Sequence, residues 1–145
     1  MKIHVVLAAI SMILVAGCEL QSRESFDAQP FSASVTVSRN YQAAYADIVK
    51  GARKCWGDGP VFTGSVLPNG MNIDAQLYPD LGYGEVYHYA SGTVFLPYVL
   101  VRIDRAGNGA KVSVKTGIQS GAKKLFGDPA LRWATGDLSC GTFGR

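Results

Sequence analysis

The feature that most constrains this fold is a change of period along the chain. Between Val61 and Thr116, apolar and polar residues alternate in short runs punctuated by turn residues. "VFTGSVL" (61–67) and "MNIDAQL" (71–77) flank "PNG" at 68–70, a hairpin signal. In the second run Met71, Ile73, Ala75 and Leu77 face one way, and Asn72, Asp74 and Gln76 the other. "YGEVYHYA" (83–90) and "TVFLPYVLVRID" (93–104) flank Ser91-Gly92, a second hairpin. Pro97 has no amide hydrogen for a strand ladder, so it should mark an edge or a bulge. "RAGNGA" (105–110) turns the chain into "KVSVKT" (111–116). Strands joined by such short turns pair antiparallel.

Before and after this run the period differs. "FSASVTVS" (31–38) places Ala33, Val35 and Val37 on one face of an earlier strand. "NYQAAYADIVKGARKCW" (40–56) has Tyr41, Ala44, Tyr45, Ile48, Ala52 and Cys55 at helical spacing, with Asn40 placed as the cap. Gly51 interrupts it and suits a close approach to a sheet, and "GDGP" (57–60) ends it. Near the C-terminus, Ile118, Ala122, Leu125 and Phe126 suggest a short helix. Asp128-Pro129 reads as the cap and first turn of another, carrying Leu131 and Trp133, or as a kink in one continuous helix stopped by Gly136.

The order is strand, helix, about five antiparallel strands, helix. It predicts an α+β fold, a two-layer sandwich with helices on one face of the sheet. Element order alone invites comparison with helix-grip folds, in which the sheet curves around a C-terminal helix; that comparison carries no function. Ser34, Thr36, Asn72, Asp74, Gln76, Lys111, Ser113 and Lys115 are then expected to face solvent. Val35, Val37, Ile73, Val112 and Val114 should pack beneath the helices.

The N-terminus belongs to none of this. Met1-Lys2 is followed by "IHVVLAAISMIL" (3–14), a run too short for an ordinary transmembrane helix, and then by Val15, Ala16, Gly17 and Cys18. A basic start, an apolar run and a small-residue exit read as a secretory signal. "VAGC" resembles the lipobox of bacterial lipoproteins, over residues 1–18 alone. The resemblance implies cleavage before Cys18, a lipid on its thiol and an acylated amino group. It also implies a cell-envelope location. Because Glu19 rather than aspartate follows the cysteine, it implies sorting to the outer membrane, facing the periplasm. Residues 1–17 are thus read as a signal peptide, 18–30 as a lipidated polar tether and 31–145 as a single domain. Cleavage would leave 128 of the 145 residues, and loss of Lys2 would lower the formal net charge from +3 to +2. That balance gives no reason to expect a nucleic-acid partner.

With Cys18 lipidated, Cys55 and Cys140 remain. In an oxidising compartment they are expected to form a disulfide, which needs the C-terminal ends of the two helices to lie together. Two distant cysteines and the single mature histidine lack zinc-ligand spacing, and no cofactor is expected.

Motifs that would name a reaction do not appear. The segment "LGYGEVYHYASGTV" (81–94) falls short of a glycine-rich kinase loop. "GIQSGAKK" (117–124) has the wrong spacing for a phosphate loop. No nucleophile elbow accompanies His88. The carboxylates Asp47, Asp58, Asp74, Asp80, Glu85, Asp104, Asp128 and Asp137 are scattered. Opposed pairs of the glycosidase kind depend on geometry that spacing does not specify. What stands out is aromatic: Tyr78, Tyr83, Tyr87, Tyr89 and Tyr98, with Glu85 and His88 among them. Tyrosines in such a set supply amphipathic contact area, or simply pack on a sheet with their hydroxyls in water. Tyr83, Glu85, Tyr87, His88 and Tyr89 are accordingly the candidate binding surface. The expected function is a non-enzymatic envelope domain, attached to the membrane by its lipid and binding an envelope protein or polymer. The alternatives are a small periplasmic hydrolase and a carrier of an apolar ligand held between sheet and helix.

Overall fold

In a computed structural model, residues 21–57, 59–61, 69–92, 95–118 and 121–140 are described. The signal segment, Cys18, Asp58 and the "PN" approach to the first hairpin around residue 68 fall outside them in whole or part. Among the described residues, six strands form one antiparallel sheet: β1 (Ala33–Val37), β2 (Gly59–Val61), β3 (Asn69–Tyr78), β4 (Tyr83–Ser91), β5 (Leu96–Ala106) and β6 (Gly109–Thr116). Their spatial order is β1-β6-β5-β4-β3-β2. Strands β2 to β6 form a meander, and β1 closes the far edge against β6, with Val35 opposite Val112.

That order forces a long return. The chain leaves β1 at one edge and must reach β2 at the other. Helix α2 (Tyr41–Cys55) makes the crossing. Fifteen residues at about 1.5 Å each span about 22 Å; five gaps between strands, at about 4.8 Å each, span about 24 Å. The Asn40 side chain accepts the amide hydrogen of Gln42 at 2.9 Å and starts the helix. Tyr41, Ala44, Ile48 and Ala52 are buried along its inner face, against Val86, Val99, Val101, Ile103, Val112 and Val114 of the sheet. The expected two-layer α+β sandwich is what forms.

A second helical segment joins α2 on the same face. A π-helical turn (Lys123–Gly127) runs without a break into α3 (Asp128–Trp133), so the continuous reading of this segment holds. The Asp128 amide bonds to the Lys123 carbonyl in the wide register, just ahead of Pro129, which has no amide hydrogen to give. Ile118 precedes the helix and is exposed rather than part of its buried face. Gly51 does permit a close approach, but to α3 and not to the sheet: a Cβ there would lie 2.4 Å from Trp133 Cδ2. Trp133 is fully buried, and its indole N–H donates to the Ser139 carbonyl at 3.0 Å. Residues 134–140 thereby return to the end of α2, where Cys55 and Cys140 are joined by a disulfide with α-carbons 5.2 Å apart.

The turns follow local chemistry. Gly107, at φ +59°, and Asn108 connect β5 to β6 in a two-residue hairpin closed by Ala106 and Gly109. Pro97 sits at a bulge: His88 pairs with Val99 and Tyr89 with Pro97, which leaves Tyr98 as the extra residue. The "PNG" turn needs correction, since Asn69 and Gly70 already belong to β3 and pair with Val61 and Pro60.

Two further expectations are overturned together. Residues 21–30, read as part of a polar tether, contain helix α1 (Arg23–Asp27), capped by the Ser22 hydroxyl accepting from the Ser25 amide at 3.1 Å. Phe26 is fully buried, stacked on Tyr87 with ring centroids 5.6 Å apart. This turn covers the sheet face opposite the helices. Lys115, expected in solvent, is therefore only 5% exposed, and Ser113, also expected there, is 6% exposed. Ser34 and Thr36 do face solvent, while Val35 and Val37 pack against the core. Among the described residues, no helix is long and apolar enough to cross a membrane.

Candidate functional site

Antiparallel register lays out the sheet face that α2 and α3 leave open. Residues directly opposite one another share a face, so the pairings build rows across the strands. One row runs Asp74, Tyr87, Leu100, Lys115 from β3 to β6. The next, two residues along, runs Gln76, Glu85, Arg102, Ser113. A third begins Tyr78, Tyr83, Asp104. Asp74, Tyr87, Leu100, Lys115, Gln76, Glu85, Arg102 and Tyr78 of these rows, with Arg23, Asp27 and Phe31 from the α1 segment, enclose a groove of about 410 Å³.

Its electrostatics are mixed. Arg23, Arg102 and Lys115 face Asp27, Asp74 and Glu85, so the formal charges on its walls cancel. Arg102 is held on three sides. Its Nη1 donates to Glu85 Oε1 at 3.0 Å, its Nε donates to Asp104 Oδ1 at 3.0 Å, and its guanidinium lies 3.9 Å from the centre of the Tyr83 ring. Tyr78 packs on Tyr83 at 4.7 Å and donates its hydroxyl to Gln76. The Gln76 amide in turn lies 3.3 Å from both Asp74 oxygens. Lys115 donates to the Asp27 carbonyl at 2.7 Å, with its ammonium 4.8 Å from the Phe31 ring centre.

Tyr87 is the most enclosed of the groove tyrosines, 4% exposed, beneath Phe26 and the Arg23 guanidinium. Its hydroxyl has no hydrogen-bond partner among the described residues. Burial, with the Asp27 carboxylate nearby, holds that phenol well above its ordinary ionisation range, so it stays a neutral donor. Tyr89 lies beside it at 5.4 Å, and both contact Phe95.

His88 does not belong to this surface. Successive strand residues point to opposite faces, so His88 projects under the helices while Tyr87 and Tyr89 project away. It is fully buried among Trp56 at 5.0 Å, Phe126 at 5.2 Å and Tyr98 at 5.3 Å. Neither ring nitrogen has a hydrogen-bond partner among the described residues, and burial lowers its pKa from 6.5 to about 4. It fills space as a neutral aromatic ring. Tyr98, brought to the same side by the bulge, also leaves the tyrosine set.

Of the candidate surface, Tyr83, Glu85, Tyr87 and Tyr89 therefore share a face and His88 is removed from it. Arg23, Phe31, Leu100, Arg102 and Lys115 were missed. Arg102 and Lys115 carried a signal: each is a cation at an outward-phase position of a strand, Arg102 between Val101 and Ile103 and Lys115 after Val114, and hairpin register puts Arg102 opposite Glu85. Arg23 and Phe31 carried none, because their place depends on where Phe26 docks. Among the described residues, no three of His, Cys, Asp and Glu converge as a metal-ligand set. Comparison with protein-family models, with curated proteins and with solved structures finds no match to this chain.

Proposed function

We propose that this chain is a lipid-anchored protein of the bacterial cell envelope, non-enzymatic, which binds an envelope protein, peptide or polymer in the groove on the outer face of its sheet. The observation that carries the reading is the groove itself: walls of balanced charge and tyrosine, with buried polar groups facing inward. Such walls favour a polar ligand over the apolar cargo of a carrier. A histidine-based hydrolase loses its support, because His88 lies on the other side of the sheet.

The anchor and the groove are close along the chain. Gln21 lies three steps along the chain from Cys18, and extended chain covers at most about 3.6 Å per step, so a lipidated Cys18 lies within about 11 Å of the segment that rims the groove. A ligand in the groove is then held near the membrane surface, by a protein whose thioether-linked and amide-linked chains meet the two-signal requirement for stable attachment.

Two measurements test this. Cys18→Ala in a bacterial host should abolish palmitate labelling and normal processing; unchanged labelling would refute the anchor. A photo-crosslinking residue at Leu100, on the groove floor, should yield adducts in cells, whereas one at Thr36, outside it, should not. Equal labelling from both positions would show that the groove is not the binding surface.

A further inference from the structure

The two long rows of the groove differ in one respect. In the Gln76–Glu85–Arg102 row the charges satisfy one another, since Arg102 bonds both Glu85 and Asp104. In the neighbouring row they stand apart. Asp74 is at one end and Lys115 at the other, with Tyr87 and Leu100 between them. Neither Asp74 nor Lys115 forms an ion pair among the described residues. Asp74 is oriented by the Gln76 amide, which Tyr78 orients in turn. Lys115 gives one hydrogen to the Asp27 carbonyl, which leaves two of its three donors. It is 5% exposed, and a buried cation without a counter-charge is a strong attractor for an anion. Arg23 adds a second cation near that end, though it shares its charge with Asp27 at 3.7 Å. Between the ends, the unpartnered Tyr87 hydroxyl and the apolar Leu100 side chain form the floor, with Phe31 as a wall.

Resting on the reading of this groove as a binding site, we infer that it recognises a short extended peptide by its two free ends, the amino group at Asp74 and the carboxylate at Lys115. The spacing matches. Asp74 and Lys115 are three strands apart, about 14 Å between backbones. Allowing about 3 Å of contact at each end leaves about 8 Å, and two to three extended residues span about 7–11 Å. A cavity of about 410 Å³ is of the size that holds a small ligand. A uniformly acidic or basic ligand would place a like charge at one end, which complementarity disfavours. An apolar middle residue would lie over Leu100 and Phe31.

The test is calorimetric titration of the full-length protein in detergent with the peptide Ala-Leu-Ala, its N-acetylated form and its C-terminal amide. The free peptide should bind saturably, and either block should weaken binding about tenfold or more. Asp74→Asn should erase the difference between the free and acetylated peptides. Lys115→Met should erase the difference between the acid and the amide. Because Lys115 is buried, each variant's thermal unfolding is followed in parallel; if Lys115→Met does not fold, the Asp74→Asn comparison decides. Equal affinity for all three peptides, or no binding of the free one, overturns the inference. A groove that crosslinks in cells but ignores the tripeptide defeats this inference and leaves the binding reading intact. A groove that does neither defeats both.

Discussion

His88 shows how one residue's meaning changes between sequence and fold. A lone histidine amid tyrosines on a strand reads as part of a surface, yet its ring lies in an aromatic layer between β4 and the helices. Its folded pKa of about 4 lies below the ordinary 6.5. Below about pH 6.5 the unfolded chain takes up a proton that the folded protein refuses until about pH 4. The stability that neutral His88 confers is therefore complete above pH 6.5 and is lost as the pH falls through that window, about 3 kcal/mol in all. His88→Phe should remove this part of the acid sensitivity. Urea unfolding at pH 7 and pH 4.5 should show a smaller loss for the variant than for the wild type, by about 2–3 kcal/mol. Identical losses would mean that His88 is protonated in the folded state. At pH 7 the substitution should cost little, since both ring nitrogens lack hydrogen-bond partners among the described residues.

At the scale of elements, strands were legible wherever one face was covered and the other wet. In β1 the alternation of half-buried and exposed residues is complete, and Thr36 faces solvent. Val112→Asp should unfold the domain, because it places a charge among Ile48, Ile103 and Trp133 in the core. Thr36→Asp should shift the thermal midpoint little, within about 0.5 kcal/mol. Equal tolerance of both would contradict the strand phase. In β6 the alternation fails at Ser113 and Lys115, and at Lys115 the reason is a segment 88 residues distant in sequence that covers the second face. The cover is α1, and Phe26 is its one buried side chain. A single apolar residue has no periodicity, so nothing in the sequence of this segment announced docking. Phe26→Ala should act locally. Hydrogen exchange of residues 22–29 should accelerate at least tenfold while the β5 amides stay protected, since α1 can leave without opening the core. Uniform acceleration across the sheet would show that α1 is an integral part of the folding unit.

For the whole molecule, the disulfide is the longest covalent constraint. Cys55 and Cys140 are 85 residues apart in sequence, and a cross-link over that span stabilises by about 4–5 kcal/mol at most in the chain-entropy account. Replacing both cysteines by alanine should lower stability by up to that amount, measured by chemical denaturation, and expose residues 134–140 to proteolysis first. An unchanged denaturation midpoint would mean that burial of Trp133 alone holds α3 in place. The architecture was legible in the sequence because its causes are local. Alternation, turn residues and caps act within a few positions, and a meander needs only neighbours in sequence to pair. Cysteine number did the same for the disulfide once Cys18 is assigned to the proposed lipid anchor, since the two cysteines left allow one pairing. The groove had no such local cause. Which charges satisfy one another, as Arg102 and Glu85 do, and which stand apart, as Asp74 and Lys115 do, depends on register across four strands and on where the chain before β1 comes to rest. Those are contacts between segments far apart in sequence, and only packing brings them together.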